Sequence, residues 1–134
     1  MGIPIDPELT IQINVEDPSP QLGYPFAKQL LARKKTFTAL FAYNDHWAMG
    51  AIRAIQEQGF RVPDDISVMG FDDIPGSGFY TPGLTTIRQP LREMGRVAAQ
   101  TLLEAIRGKK GRPPEIAVEP VLVVRESTAK APKR

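Results

Sequence analysis

The stretch TFTALFAYNDHWAMGAIRAIQEQGFRVPDDISVMGFDDIP, residues 36–75, decides the fold. It reads as strand, polar tip, helix, strand, polar tip. Residues 38–42 and 66–71 are short apolar runs bounded by turn residues, the pattern of buried strands. Between them Trp47, Ala48, Ala51, Ile52 and Ile55 recur at helical spacing. Asn44 or Asp45 stands where a helix cap belongs, and Gly59 stops the helix with Phe60 just beyond it. A strand–helix–strand unit of this kind predicts parallel strands joined by a right-handed crossover. The carboxyl ends of both strands then lie on one edge of the sheet, which sets Asn44-Asp45 beside Asp72-Asp73. In open α/β sheets that edge is where ligands bind.

Outward from this unit the signals are weaker. Residues 10–15 alternate, with Ile11, Ile13 and Val15 on one face, and predict a preceding strand. Residues 17–20 predict a turn, with Ser19 as cap and Pro20 in the first position of a helix carrying Leu22, Phe26, Leu30 and Leu31. Pro25 removes a backbone donor and crowds the preceding turn, so the regular part of that helix is expected to begin near Tyr24. A Gly/Pro-rich segment spans 75–83. Pro90 opens a third helix with Leu91, Met94, Val97, Ala98, Leu102, Ala105 and Ile106 in period, and Gly108 ends it. A basic loop, 109–114, and a last strand, 118–124, follow. The expected class is α/β with a parallel, doubly wound sheet. Its few strands make the sheet incomplete.

Composition narrows the function. A chain of 134 residues fits one ordinary domain, and its 42% hydrophobic and 24% charged content is that expected of a soluble globular protein. A net charge of +2 does not point to nucleic-acid binding. The absence of cysteine excludes disulfides and thiolate metal sites, and the single histidine, His46, makes neither a zinc set nor a relay with its neighbour Asp45. No apolar run approaches the roughly 18 residues of a membrane span. The start MGIPIDPELT lacks the regions of a secretory signal, so a cytoplasmic location is expected. Neither a dinucleotide fingerprint nor a phosphate loop is present, and Ser77 lacks a base, so no cofactor, metal or catalysis is expected.

The polar tips suggest what is bound. Asn44 offers an amide donor and an acceptor, and Asp72 two acceptor oxygens, which suits neighbouring hydroxyls of a sugar or similar polyol. Taken singly, each reads as a cap; placed at successive strand ends they are expected to share a ligand. Asp45 is expected to serve the helix dipole and Asp73 to stand behind Asp72. Phe79 and Tyr80, in a Gly/Pro-rich loop, are expected on a partner surface.

The strings ALFAYNDHWAMGAIRAIQEQGFRVPDDISVMGFDDIP, YTPGLTTIRQPLREMG and VLVVREST resemble the effector-binding region of the LacI/GalR family of bacterial transcriptional regulators. Residues 3–8 with Gly23-Tyr24 add a fainter match. The resemblance implies two Rossmann-like, periplasmic-binding-protein-like lobes with a sugar, nucleobase or similar small molecule between them. Residues 1–87 would belong to the C-terminal lobe and 88–120 would cross into the N-terminal lobe. Residues 121–127 would return, and 128–134 would form a basic tail. Effector contacts are implied at Asn44, Asp72 and Gln89, and a homodimer interface at Met49, Ile52, Phe79 and Tyr80. A cleft-wall position that is often aromatic in the family is Pro18 here, a departure that weakens ring stacking. The family's helix-turn-helix, hinge, cleft arginine and most of the first lobe have no counterpart in this sequence, so operator DNA would be reached only through a domain outside it.

The expected function is effector binding and dimerisation for a regulator whose DNA affinity a small molecule sets allosterically. One alternative is part of a periplasmic sugar-binding protein of a transporter, which shares the bilobal fold; the runs TTIRQPLREMG and VVREST favour the regulator. Another is a metal-dependent phosphoryl-transfer enzyme with a divalent ion on Asp72 and Asp73.

Overall fold

The structure is a computed structural model that describes residues 4–12, 20–33, 35–108 and 116–132. After a 3-10 turn, Pro7–Leu9, come α1 (Pro20–Leu31), β1 (Ala39–Phe41), α2 (Asp45–Glu57) and β2 (Ser67–Met69). They are followed by β3 (Thr86–Arg88), α3 (Leu91–Ile106) and β4 (Val121–Val123).

The central unit forms as its sequence dictates. β1 and β2 pair in parallel with Leu40 opposite Val68. Both strands are shorter than their apolar runs. Asn44 is the cap of α2: its backbone is extended (φ −152°) and its Oδ1 accepts the Trp47 N–H at 2.9 Å. At the other end the Gly59 N–H donates to the Gln56 carbonyl at 3.0 Å and the Phe60 N–H to that of Ile55 at 3.2 Å. This is the paired-bond ending that needs a left-handed residue, and Gly59 has φ +84°. Ala48, Ile52 and Ile55 on α2, Ile66 and Val68 around β2, and Leu84 make the core. Phe26 and Trp47 meet with ring centroids 5.4 Å apart.

Three sequence expectations require correction. The first concerns α1, which begins at Pro20 and not near Tyr24, with Pro25 inside it. Gln21 and Pro25 lie on the exposed face, where water can take up the bond that proline cannot make. The opposite face packs on α2 through Phe26 and through Ala27 against Ala51 and Ala54. Tertiary packing outweighs the local penalty. The second concerns residues 10–15. Residues 10–12 are not a strand; the Arg33 Nη1 donates to the carbonyls of Pro7, Glu8 and Thr10 at 2.9–3.1 Å and takes that backbone out of any ladder. Residues 13–15, the turn at 17–19 with Pro18 and Ser19, and the loop at 109–114 lie outside the described residues.

The third concerns the far side of the sheet. Residues 86–88, which no pattern in the sequence marked, are a strand. The chain leaving β2 runs parallel to it, with bridges Met69–Thr85 and Asp72–Arg88, while β4 pairs with it antiparallel, Ile87 opposite Leu122. The sheet is therefore parallel through its centre and antiparallel where the chain returns. Ser127, buried just after β4, fastens that return. Its N–H donates to the Gly83 carbonyl at 2.9 Å and its carbonyl accepts the Val68 N–H at 2.8 Å. Its hydroxyl donates to the Val68 carbonyl at 2.6 Å and accepts the Thr85 N–H at 2.8 Å.

α3 contributes no buried residue. Its apolar stripe, including Leu91, Leu102 and Ile106, is exposed, as are Val121 and Val124. No helix among the described residues is long and apolar enough to cross a membrane.

The α1–α2 crossing gives a first prediction. A Cβ at Gly23 would lie 2.1 Å from the Trp47 backbone carbonyl oxygen, and backbone cannot swing aside. Gly23→Ala is expected to lower stability by about 1–3 kcal/mol, the ordinary penalty for overpacking, read as a fall in the urea midpoint at unchanged slope.

Candidate functional site

The site begins at a buried acid. Asp45, the first residue of α2, is fully buried. Its Oδ2 accepts the Ile74 N–H at 2.9 Å and the Ser77 hydroxyl at 2.6 Å, and its Oδ1 accepts the hydroxyl of Thr86. Its own N–H donates to the Phe71 carbonyl at 2.9 Å. One carboxylate thus joins the start of α2, the loop after β2 and the start of β3. Gly70 leaves the space: a Cβ there would stand 2.3 Å from Asp45 Oδ1. Sequence assigned Asp45 to the helix dipole; Ser77 and Thr86, the partners that explain its burial, carry no local signal.

These bonds bring the two polar tips onto one edge, as the parallel pairing requires. Asn44 is buried and its oxygen caps α2. Asp72 has φ +111° and Asp73 φ +55°, two consecutive non-glycine residues in a region that L side chains rarely adopt. The Asp72 N–H donates to the Ile87 carbonyl at 2.9 Å, and its Oδ1 accepts the Gln89 side-chain amide at 2.6 Å. Two of the expected effector residues, Asp72 and Gln89, therefore touch. Gln89 also borders an open, charged hollow of 640 Å³ with Arg92, Glu93 and Arg96 at the start of α3. An apolar hollow of 540 Å³ lies elsewhere, along β1 beneath α1, among Leu9, Ile11, Phe26, Leu30 and Phe41.

Asp73 is held by a pair of arginines that sequence reading did not single out. Its Oδ2 accepts from Arg88 Nε and its Oδ1 from Arg125 Nη2, both at 2.6 Å, and the carboxylate is only 7% exposed. Burial pushes its pKa up, but the hydrogen bonds from Arg125 and Arg88 outweigh burial and hold the carboxyl below its ordinary value. A depressed folded pKa stabilises above the unfolded value of about 3.9, and that contribution is lost as pH falls through the folded value. Arg125 lies 52 positions from Asp73 in sequence, so no spacing rule joins them. This geometry also bears on the metal reading. Asp73 carries two guanidinium groups and Asp72 an amide, and no cluster of three or more metal-ligating side chains occurs among the described residues.

The expected interface residues separate. Phe79 is 91% exposed. Tyr80, next in sequence, is partly buried against the core and donates its hydroxyl to the Met49 carbonyl at 3.2 Å, which joins the loop to α2. Ile52 does not belong there. It is 0% exposed within the single chain, turned into the core against β2, and has no surface to offer a partner.

Comparison with known proteins agrees with this geometry. Residues 7–128 match the model of the periplasmic binding protein-like domain. The chain belongs to that family. Within it, the sequence is of the LacI type. It is 41% identical over 133 residues to the HTH-type transcriptional repressor PurR of Erwinia tasmaniensis, covering 99% of this chain and 38% of the repressor. The dimeric Lac repressor with an 11-residue C-terminal deletion superposes with a TM-score of 0.74 at 38% identity, over 82% of this chain and 40% of that one. A LacI family regulator from Enterococcus faecium with bound ribose gives 0.72 at 36% identity, over 83% and 40%. The chain thus spans about two fifths of the length of these relatives.

Asp45→Asn tests the joint at the base of the site. An amide keeps the shape but turns one acceptor into a donor facing hydrogen-bond donors, and the charge that strengthens the bonds is gone. The expected loss is about 2–4 kcal/mol by chemical denaturation, since a buried group left unpaired and weakened charged bonds add.

Proposed function

We propose that this chain is the effector-binding and dimerisation part of a LacI-type transcriptional regulator. The observation that carries the reading is the Asp72 carboxylate. It sits on a backbone of positive φ at a strand end, bonded to Gln89 where the chain crosses toward α3. Non-glycine strain of this kind costs about 1–3 kcal/mol per residue and persists where surrounding structure over-determines it, typically at ligand clamps and switches.

The roles follow from the chemistry. Asp72 accepts from ligand hydroxyls through the oxygen that Gln89 does not use. Asn44 caps α2 with its oxygen and keeps its amide hydrogens as donors toward the ligand. Gln89 senses closure because it lies on the crossover. Residues 1–87 act as the C-terminal lobe, 88–120 as the excursion into the other lobe, 121–127 as the return and 128–134 as a tail. The effector is a sugar or similar polyol, a reading supported by the ribose bound to the Enterococcus faecium relative. Binding between lobes shifts the population of two lobe arrangements and so alters operator affinity through a helix-turn-helix domain supplied outside these residues. The regulator works in the cytoplasm, as a repressor must to reach DNA, and performs no catalysis. A transporter-binding protein is the less favoured reading because the curated relatives are repressors. The dimer surface is built on Met49, Phe79 and Tyr80, a reading supported by the dimeric Lac repressor.

Asp72→Gly removes the carboxylate yet suits the positive φ, so folding is retained. In the full-length regulator carrying this sequence, it is expected to weaken sugar binding about 100-fold, the loss from two charged hydrogen bonds. Calorimetric titration against a panel of monosaccharides and disaccharides decides; undiminished affinity for a sugar that binds the parent removes Asp72 from the site. Phe79→Lys places a charge on the exposed loop and is expected to raise the dimer dissociation constant at least about tenfold in sedimentation equilibrium, a shift of about 1.4 kcal/mol. A dimer of unaltered strength would move the interface elsewhere.

A further inference from the structure

Two adjacent residues with positive φ need something to hold them, and the loop after β2 shows what does. The Asp72 N–H is fixed to Ile87 and the Ile74 N–H to Asp45, which pins the loop on either side of Asp73. Between those pins the side chain of Asp73 anchors the turn, gripped by Arg88 and Arg125. The two arginines are not equal. The Arg88 side chain is more than half exposed, and solvent weakens an ion pair of that kind. Arg125 is mostly buried and fixed at three further points: its Nη1 donates to the Leu84 carbonyl at 2.7 Å, its N–H donates to Thr85 Oγ1 at 2.9 Å, and its carbonyl accepts from that same hydroxyl at 3.2 Å. Its guanidinium is a strut between the return strand and the loop, and a planar fork suits that role where a single ammonium does not.

We propose that Arg125, acting through Asp73, is the positioning residue that orients the Asp72 carboxylate. Neither Arg125 nor Asp73 needs to touch the effector. The return strand and the crossover are the two links that leave and re-enter this part of the fold on either side of α3, so Arg125 makes the ligand-facing acid sensitive to where that excursion sits. The inference rests on the reading of Asp72 as an effector residue. Its own claim, that Arg125 sets the Asp72 geometry, stands apart from any ligand.

The test is therefore ligand-free. In the ¹⁵N-labelled 134-residue chain, the side-chain amide signals of Gln89 report its bond to Asp72, and Asp72→Gly supplies their unbonded position. Asp73→Asn keeps a residue that tolerates left-handed backbone but removes the charge; Arg125→Gln removes the strut. Both are expected to move the Gln89 signals most of the way to the unbonded position, and the double variant no further than either alone. Arg88→Gln is expected to move them less. A fall in melting temperature with the Gln89 signals unmoved would reduce the pair to a fold staple and overturn the proposal. Should Arg125→Gln fail to fold, Arg125→Lys keeps the cation but cannot serve Leu84 and Asp73 together; a partial shift supports the proposal and no shift overturns it. If these signals move while Asp72→Gly leaves sugar affinity intact, the effector reading fails and the positioning claim survives.

Discussion

The carboxylate of Asp45 is the constraint on which the rest depends. A fully buried acid is costly unless its oxygens are satisfied, and here three donors from two separate segments satisfy them. Those donors belong to the loop after β2 and to β3, and the carboxylate ties both to the start of α2. Gly70 is required so that the acid can approach. The consequence for the site is direct: Asn44, one residue earlier, and Asp72, one residue beyond the Phe71 carbonyl that the Asp45 backbone N–H holds, are brought to one edge by the same residue.

That edge also reconciles two readings of Asn44 that compete in the sequence. A helix cap uses the side-chain oxygen, whereas a hydroxyl ligand can be held by the amide hydrogens, so capping orients the group for binding and does not exclude it. Asp72 is similar. One oxygen is committed to Gln89, and the other remains to accept. In each case the structural bond fixes the rotamer from which the remaining polar atom projects.

How far the sequence was legible follows from where the information lies. α2 was legible in full because cap, period and terminating glycine are all local. The parallel pairing of β1 and β2 followed from the connection between them. β3 was not legible, since three residues without alternation become a strand only by pairing with their neighbours on either side. Pro25 misled because its penalty is local while the packing of α1 on α2 is not. Ile52 was misplaced for a related reason: it lies on a helix assigned to a partner surface, but its own face is turned to the core. The arginine grip on Asp73 joins residues 15 and 52 positions apart, and no periodicity encodes it.

Ser127 carries a consequence for the order in which this fold can be completed. Its hydroxyl takes the N–H of Thr85, 42 positions earlier, and its backbone closes on Gly83 and Val68. A polypeptide emerging N-terminus first has made β1, α2, β2 and β3 well before Ser127 exists, and α3 must be threaded out and back before these four bonds form. Until then the backbone groups of Val68 and Thr85 that Ser127 will occupy face water or a chaperone. Completion of this fold thus waits until the chain beyond α3 has been made, and one small residue governs it.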